Sequence, residues 1–156
     1  MKEGEPIMET DHTGGPTSTE YPEGQTHGNP ERPMHRVARS SLMFDLAAEV
    51  EQLRAEESWR QGVRNAKTLV KEPDLRVVLI LLRQGARMEE HRAPGRITIH
   101  TLSGRLRLQL LDQASDLEAG QVLMLEADMP HDVEAITESA FLLTIAWPAK
   151  THPILG

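Results

Sequence analysis

From residue 64 to residue 147 the chain is a series of short hydrophobic segments separated by turn sequences, and this pattern restricts the fold more than any other feature. The segments cover residues 66–71, 75–83, 87–92, 97–102, 106–110, 121–126, 131–136 and 140–147. Glu-Pro-Asp, Ala-Pro-Gly and Ser-Gly lie between them and favour tight turns. Leu106, Leu108 and Leu110 alternate with polar residues, as in a strand with one buried face. Such short strands at regular spacing predict an all-β sandwich or barrel.

The segment before these strands predicts one helix, within residues 39–62 and centred on 41–57. Apolar side chains recur there at three- and four-residue steps and would form one stripe: Met43, Leu46, Ala47, Val50 and Leu53. Ser40 or Ser41 is the expected N-cap, and Gly62 is the expected end.

Residues 1–38 are predicted to be a disordered acidic tail. They hold half of the ten prolines of the chain, many Thr and Glu, and very few branched aliphatic residues. A segment of this composition cannot bury enough apolar surface to offset the loss of chain entropy.

Composition excludes several classes of function. The net charge of −7 and the pI near 5.5 argue against nucleic acid as a partner, because binding phosphates needs clustered Lys and Arg. No apolar run of membrane-spanning length is present, so we expect no membrane partner. The polar N-terminus lacks a signal-peptide core, which favours a cytoplasmic protein. The chain has no Cys, and this excludes disulfides and thiolate chemistry.

Two of the predicted strands begin at a glycine that a histidine follows at a fixed distance. Gly85 precedes His91, and Gly104 closes that segment; Gly120 precedes His131. On this spacing the chain, over about residues 64–147, resembles a small single-domain member of the cupin superfamily. The resemblance implies a single jelly-roll β-barrel over residues 63–150, preceded by the helix and the tail.

Half of the metal-binding positions of the family are altered. In the first motif Ala93 stands in place of the second histidine, and Ile97 in place of the glutamate. In the second motif Glu126, Asp128 and Ala135 replace Pro, Gly and Asn. The metal motif is therefore eroded, while the glycine frame is kept.

The resemblance nevertheless implies His91 and His131 as ligands of one divalent metal, Zn, Fe or Mn. Glu89 is the expected third ligand, because it lies two residues before His91 and would share its strand face. The alternative is a metal-free histidine pair that binds a small ligand. Arg92 and Arg96 would then lie near the mouth of the barrel and hold an anion. 

The resemblance implies that position 97, the glutamate position of the family, points into the barrel, and alternation along the strand then places His100 outside it. Three hypotheses about function follow from these residues. The first is a small-molecule-binding or sensing protein without catalysis. The second is a metal-dependent enzyme of dioxygenase or isomerase type with an incomplete histidine ligand set. The third is a protein–protein adaptor that uses the helix and the tail.

A homodimer is predicted because the apolar outer face of Leu75–Leu82 needs a cover.

Overall fold

The computed structural model describes residues 36–38 and 41–148, and it confirms the all-β fold. The predicted tail therefore lies almost wholly outside the described residues. Its end, Arg36–Ala38, forms strand β1, which pairs with β2 (Ser41–Leu42) in a separate two-stranded sheet. No helix within the described ranges is long and apolar enough to cross a membrane.

Two short helices follow, α1 (Leu46–Ala55) and α2 (Glu57–Gln61). The remaining strands are β3 (Arg64–Glu72), β4 (Leu75–Leu82), β5 (Arg87–His91), β6 (Arg96–Ser103), β7 (Arg105–Gln109), β8 (Ala114–Glu118), β9 (Val122–Leu125), β10 (His131–Ala135) and β11 (Ser139–Ala146).

These nine strands form two antiparallel sheets. The larger sheet has the order β3-β4-β11-β6-β9 and the smaller one β5-β10-β7-β8. Alternate side chains from both sheets point inward and form a continuous aliphatic core, in which Phe141 is a fully buried aromatic residue. Two packed sheets with connections that pass between them are the jelly-roll arrangement.

The eight strands predicted from the sequence are all present, and β8 is an additional one. Strand β8 has only Leu117 buried in the core, and the rest of it is half-buried or exposed. It pairs with β7 along its whole length. A strand whose sequence is mostly polar gives no hydrophobic alternation, so only its pairing with β7 identifies it.

The single predicted helix is divided in two at Glu56, whose extended backbone ends α1 and precedes α2. The N-cap is Asp45 rather than Ser40 or Ser41, since its carboxylate accepts a hydrogen bond from the Ala48 amide at 3.2 Å. Ser41 lies instead in β2.

The helices cover the outer face of the larger sheet. Leu53 of α1 and Trp59 of α2 pack on Leu79 and Leu81 of β4 in a second core cluster. The argument for a dimer that rested on an exposed outer face of β4 is therefore wrong, because the chain covers that face itself. The homodimer remains a prediction.

Polar contacts attach the helices to the sheet. A buried ion pair joins Glu49 of α1 to Lys67 of β3 at 2.6 Å, with side-chain exposures of 4% and 9%. The fully buried Asn65 donates to the carbonyl oxygen of Leu53 and to the carboxylate of Glu56, both at 3.0 Å. Such bonds satisfy backbone groups that the end of a helix leaves without a helical partner.

Candidate functional site

One end of the barrel brings together the two histidines that the sequence singled out, and we call it the barrel mouth. It is formed by the β5–β6, β7–β8 and β9–β10 connections, together with the start of β4 and the end of β11. The pairing of Ala146 with both Leu75 and Arg96 places these strand ends at one level. The Asp128 amide donates to the carbonyl of Ala93 at 2.7 Å and joins two of the connections.

The backbone keeps the glycine frame that the sequence suggested, with the three glycines in the β4–β5, β6–β7 and β8–β9 connections, at the end of the barrel away from the mouth. Gly85, Gly104 and Gly120 all have positive φ, and Asp128 also has positive φ, at 63°. Asp128 is the residue that replaces a glycine of the second motif, so the left-handed conformation is retained without glycine. Aspartate is one of the few other residues that adopt it at moderate cost.

His91 and His131 lie side by side at the mouth. They are directly opposite each other on β5 and β10, and their ring centroids are 4.3 Å apart in an edge-to-face arrangement. His131 is 2% exposed and His91 is half-buried. The structure thus brings together the two histidines that the sequence selected.

The tautomer of both rings follows from their hydrogen bonds. The Nδ1 atom of His91 lies 2.6 Å from the carbonyl oxygen of Glu89, and that of His131 lies 2.9 Å from the carbonyl oxygen of Met129. A carbonyl oxygen can only accept, so each Nδ1 carries the proton and donates it. In the neutral ring the lone pair then belongs to Nε2, and both Nε2 atoms are buried. A backbone carbonyl bound to Nδ1–H is also the usual way to orient a metal-binding histidine.

Glu89 is not brought to the histidines as a third ligand. His131 and Val133 are two residues apart on β10. The β5 residues that pair with them, His91 and Met88, are three residues apart. This bulge inserts one extra residue and breaks the alternation of faces. Met88 points into the core, so the following residue, Glu89, points away, and it is exposed.

The donor set at the mouth therefore does not fit a resident metal. Across the described part of the chain, no three His, Asp or Glu side chains lie close enough together to hold one ion. Catalytic zinc sites use three protein ligands, and structural sites use four. Two nitrogen donors fall short of both.

Arg92 and Arg96 lie on the surface rather than facing the histidines. Both are exposed, and Arg96 makes two hydrogen bonds of 3.0 and 3.1 Å with the Glu126 carboxylate.

The prediction that His100 lies on the outer face of the barrel fits the structure. Ile97 is part of the inner core, whereas half-buried His100 lies at the opposite parity, on the outer face.

A charged residue that the sequence analysis passed over, Arg76, lies at the mouth on the larger sheet. Val78, Ile80 and Leu82 of β4 point into the barrel, and the register of β4 with β11 is regular. Arg76 shares their parity and is 8% exposed. Arg76 is the only charged residue at an inward position of the aliphatic segment 75–83. A charge at such a position is the sequence signal that could have identified Arg76.

Trp147 lies directly beside Arg76. The Arg76 Cζ atom is 5.5 Å from the centre of the indole ring, within the range of a cation–π contact. The ring packs against the inner core. Its Nε1 atom is buried and makes no hydrogen bond with any residue that the structure describes.

A cleft of about 450 Å³ opens between the edge strands β3 and β5 of the two sheets and reaches His91. Its wall mixes apolar and charged side chains: Val63, Arg64, Leu82, Ala86, Arg87, Met88, Glu89 and His91. Arg87 is bound to Asp132, and this hydrogen bond is the main cause that raises the pKa of the guanidinium above its usual value.

The comparisons with known proteins agree with this architecture. The cupin domain family model matches residues 78–146. A comparison with curated proteins gives no match. Among solved structures, a conserved protein of unknown function from Streptococcus pyogenes is 22% identical, with 77% of this chain and 98% of that one covered and a TM-score of 0.58.

Two further solved structures are similar to this chain in fold. A cupin 2 conserved barrel domain protein from Leptotrichia buccalis is 27% identical over 63% of this chain and 46% of its own, with a TM-score of 0.56. The Cupin_2 domain of an XRE family transcriptional regulator from Enterobacter cloacae is 21% identical over 55% and 98%, with a TM-score of 0.50. Residues 78–146 thus match the cupin domain family model, and one of the similar structures is a domain of a transcriptional regulator.

Proposed function

We propose that this protein binds a small molecule at the barrel mouth and acts as a binding or sensing module rather than as an enzyme. The observation that carries the proposal is the histidine pair. His91 and His131 are 40 residues apart in the sequence, yet their rings lie 4.3 Å apart with both Nδ1 atoms held by carbonyl oxygens. Two oriented nitrogen atoms in an apolar barrel suit the recognition of a polar group on a ligand.

The route to this site is the cleft between the two sheets, since His91 contributes to its wall. A ligand would reach the histidines between the edge strands β3 and β5. The mixed lining of the cleft favours a compound with both apolar and polar parts.

A screen by thermal shift tests this proposal. Compounds that bind the native state raise its stability by about 2.7 kcal/mol at a hundred times their Kd. We expect hits that stabilise the wild-type protein and fail to stabilise the His91→Ala and His131→Ala variants. Arg107→Gln on the outer face of the smaller sheet is the matched control. Hits that bind both histidine variants as well as they bind the wild type would refute the site.

A second candidate is a metal-dependent enzyme of dioxygenase or isomerase type, which the tautomer of the two histidines favours. Its ligand set is incomplete as described, so ligands from outside the protein would have to complete it. Metal analysis of the purified chain by mass spectrometry separates the two functions. A near-stoichiometric metal that is lost in both His91→Ala and His131→Ala would support the enzyme, whereas no metal uptake in the wild type would support the binding module.

A further inference from the structure

We infer that the cleft between β3 and β5 binds an amphiphilic small molecule, an aliphatic carboxylate whose charged group is held by Arg64. The inference rests on the proposed function, in which this cleft leads to His91, and it adds to that function the chemical class of the ligand. It also assigns Arg64 as the residue that selects this class.

Arg64 lies at the start of β3, on the inward side of the larger sheet. It is opposite Leu82 of β4, and Ala66, two residues further on, is opposite Ile80. Residues directly opposite each other on antiparallel strands share a face of the sheet, and Ala66, Ile80 and Leu82 all belong to the inner core. Arg64 is therefore at an inward position, and it contributes to the wall of the cleft.

The Arg64 side chain is half-buried and makes no hydrogen bond or ion pair with any residue that the structure describes. Four arginines on neighbouring strands do have carboxylate partners: Arg87, Arg96, Arg105 and Arg107. Partial burial of a charge is unfavourable until an opposite charge compensates it. The planar N–H donors of a guanidinium fit the two oxygen atoms of a carboxylate, so a bound carboxylate would supply that compensation.

The surface next to Arg64 in the cleft is apolar. Leu82, Ala86 and Met88 line the same cleft; Leu82 and Met88 are core residues, and Ala86 packs against the core. Each ligand methylene that such a surface removes from water raises the affinity about fourfold. The cleft volume of about 450 Å³ is typical of sites for small molecules. A hydrocarbon chain attached to the carboxylate therefore fits beside Arg64.

The two other charged residues of the wall do not take part in this contact. Arg87 and Glu89 flank Met88, which points into the core, so both are at outward positions of β5. The Arg87 guanidinium is bound to the Asp132 carboxylate, and Glu89 is exposed. An anion at Arg64, on the inward side of the cleft, would thus lie on the other side of β5 from the Glu89 carboxylate.

The test uses the full chain and three probes: hexanoate, its uncharged amide hexanamide, and the shorter carboxylate propanoate. Titrations at constant ionic strength, followed by NMR of the backbone amides of residues 63–64 and 86–88, give the three affinities. We expect hexanoate to bind at least about fivefold more tightly than hexanamide, a difference of about 1 kcal/mol. It should bind at least about tenfold more tightly than propanoate, which has three methylenes fewer to remove from water.

Variants assign the preference to Arg64. Arg64→Gln should abolish the preference for hexanoate over hexanamide and leave the binding of hexanamide unchanged. Arg64→Lys should retain part of the preference, because the charge stays and the two-point contact is lost. The matched control is Arg60→Gln, which changes an exposed arginine of α2 outside the cleft wall and should bind like the wild type. Circular dichroism checks that each variant is folded.

Equal affinities of hexanoate and hexanamide in the wild type would overturn the inference, and so would the absence of saturable hexanoate binding. Neither measurement needs a variant, so both apply even if Arg64→Gln does not fold. An unchanged preference in folded Arg64→Gln would overturn it as well.

The proposed function fails differently. If a screened compound depends on His91 and His131 while hexanoate does not bind, the binding module stands and the assignment of ligand class falls. If hexanoate binding depends on Arg64 while no screened compound depends on the histidines, the carboxylate site in the cleft stands and the histidine site falls.

Discussion

The buried ion pair between Glu49 and Lys67 should be the most sensitive point of the contact between helix α1 and the sheet. We consider Glu49→Gln, which keeps the shape of the side chain and removes its charge. The Lys67 ammonium, 9% exposed, would then lose the Glu49 carboxylate that lies 2.6 Å from it. Removing one partner of a buried pair costs about 3–5 kcal/mol, a large part of the 5–15 kcal/mol of a typical domain.

Urea unfolding followed by far-UV circular dichroism measures the loss. For a slope of about 2 kcal/mol per molar urea, the midpoint should fall by about 1.5–2.5 M. The matched control is Glu126→Gln, which breaks the pair with Arg96. Both side chains of that pair are more than 60% exposed, so the expected loss is about 0.2–1 kcal/mol.

The double variant Glu49→Met/Lys67→Met completes the test. It replaces the pair by apolar side chains of similar length, and we expect it to recover most of the stability lost in Glu49→Gln, because the desolvated charge is gone. The reasoning would be refuted if Glu49→Gln lost no more than Glu126→Gln, or if the double variant were less stable than Glu49→Gln.

Three other predictions concern the turns, the outer charges and the helix end. In urea unfolding, Gly104→Ala should lower the free energy of unfolding by at least about 1 kcal/mol more than Gly120→Ala does. Both glycines have positive φ, but only a methyl group added at position 104 would meet the Glu138 carbonyl, and equal losses would contradict this. Hydrogen bonds, chiefly from Arg107, lower the pKa of Asp116 from 3.8 to about 2. The stability that the ionised Asp116 contributes is therefore present above pH 3.8 and is lost as the pH falls through about 2. An NMR titration of Asp116 with a midpoint near 3.8 would disprove this prediction. Asn65→Ala should cost about 1–3 kcal/mol and increase amide exchange at the end of α1; unchanged exchange there would show that Asn65 does not hold that end.

Much of the barrel could be predicted because its strands carry their own signal. The alternation of Leu106, Leu108 and Leu110 gives both the strand and the side that faces the core. Gly104 and Gly120 mark turns that need positive φ. These features depend on neighbours in the sequence, and local sterics and periodicity are enough to determine them.

The site was predicted only in part. The spacing identified His91 and His131, and the structure places them together. The sequence did not predict that Glu89 points away from His91. That direction follows from a bulge in β5, which depends on the pairing with β10 and cannot be recognised in the sequence of β5 alone. Arg76 was overlooked because its segment was interpreted as uniformly aliphatic.

The sequence by itself determined the all-β class, the positions of most strands, the turn glycines and the histidine pair, since each of these follows from local periodicity or from the spacing within a motif. Tertiary structure alone decided which groups meet across long separations. It covers β4 with the helices, pairs Glu49 with Lys67, directs Glu89 away from His91, and sets Arg76 and Trp147 on the wall opposite the histidines. These contacts depend on how the two sheets and the helices pack, and packing is a property of the whole chain rather than of any one segment.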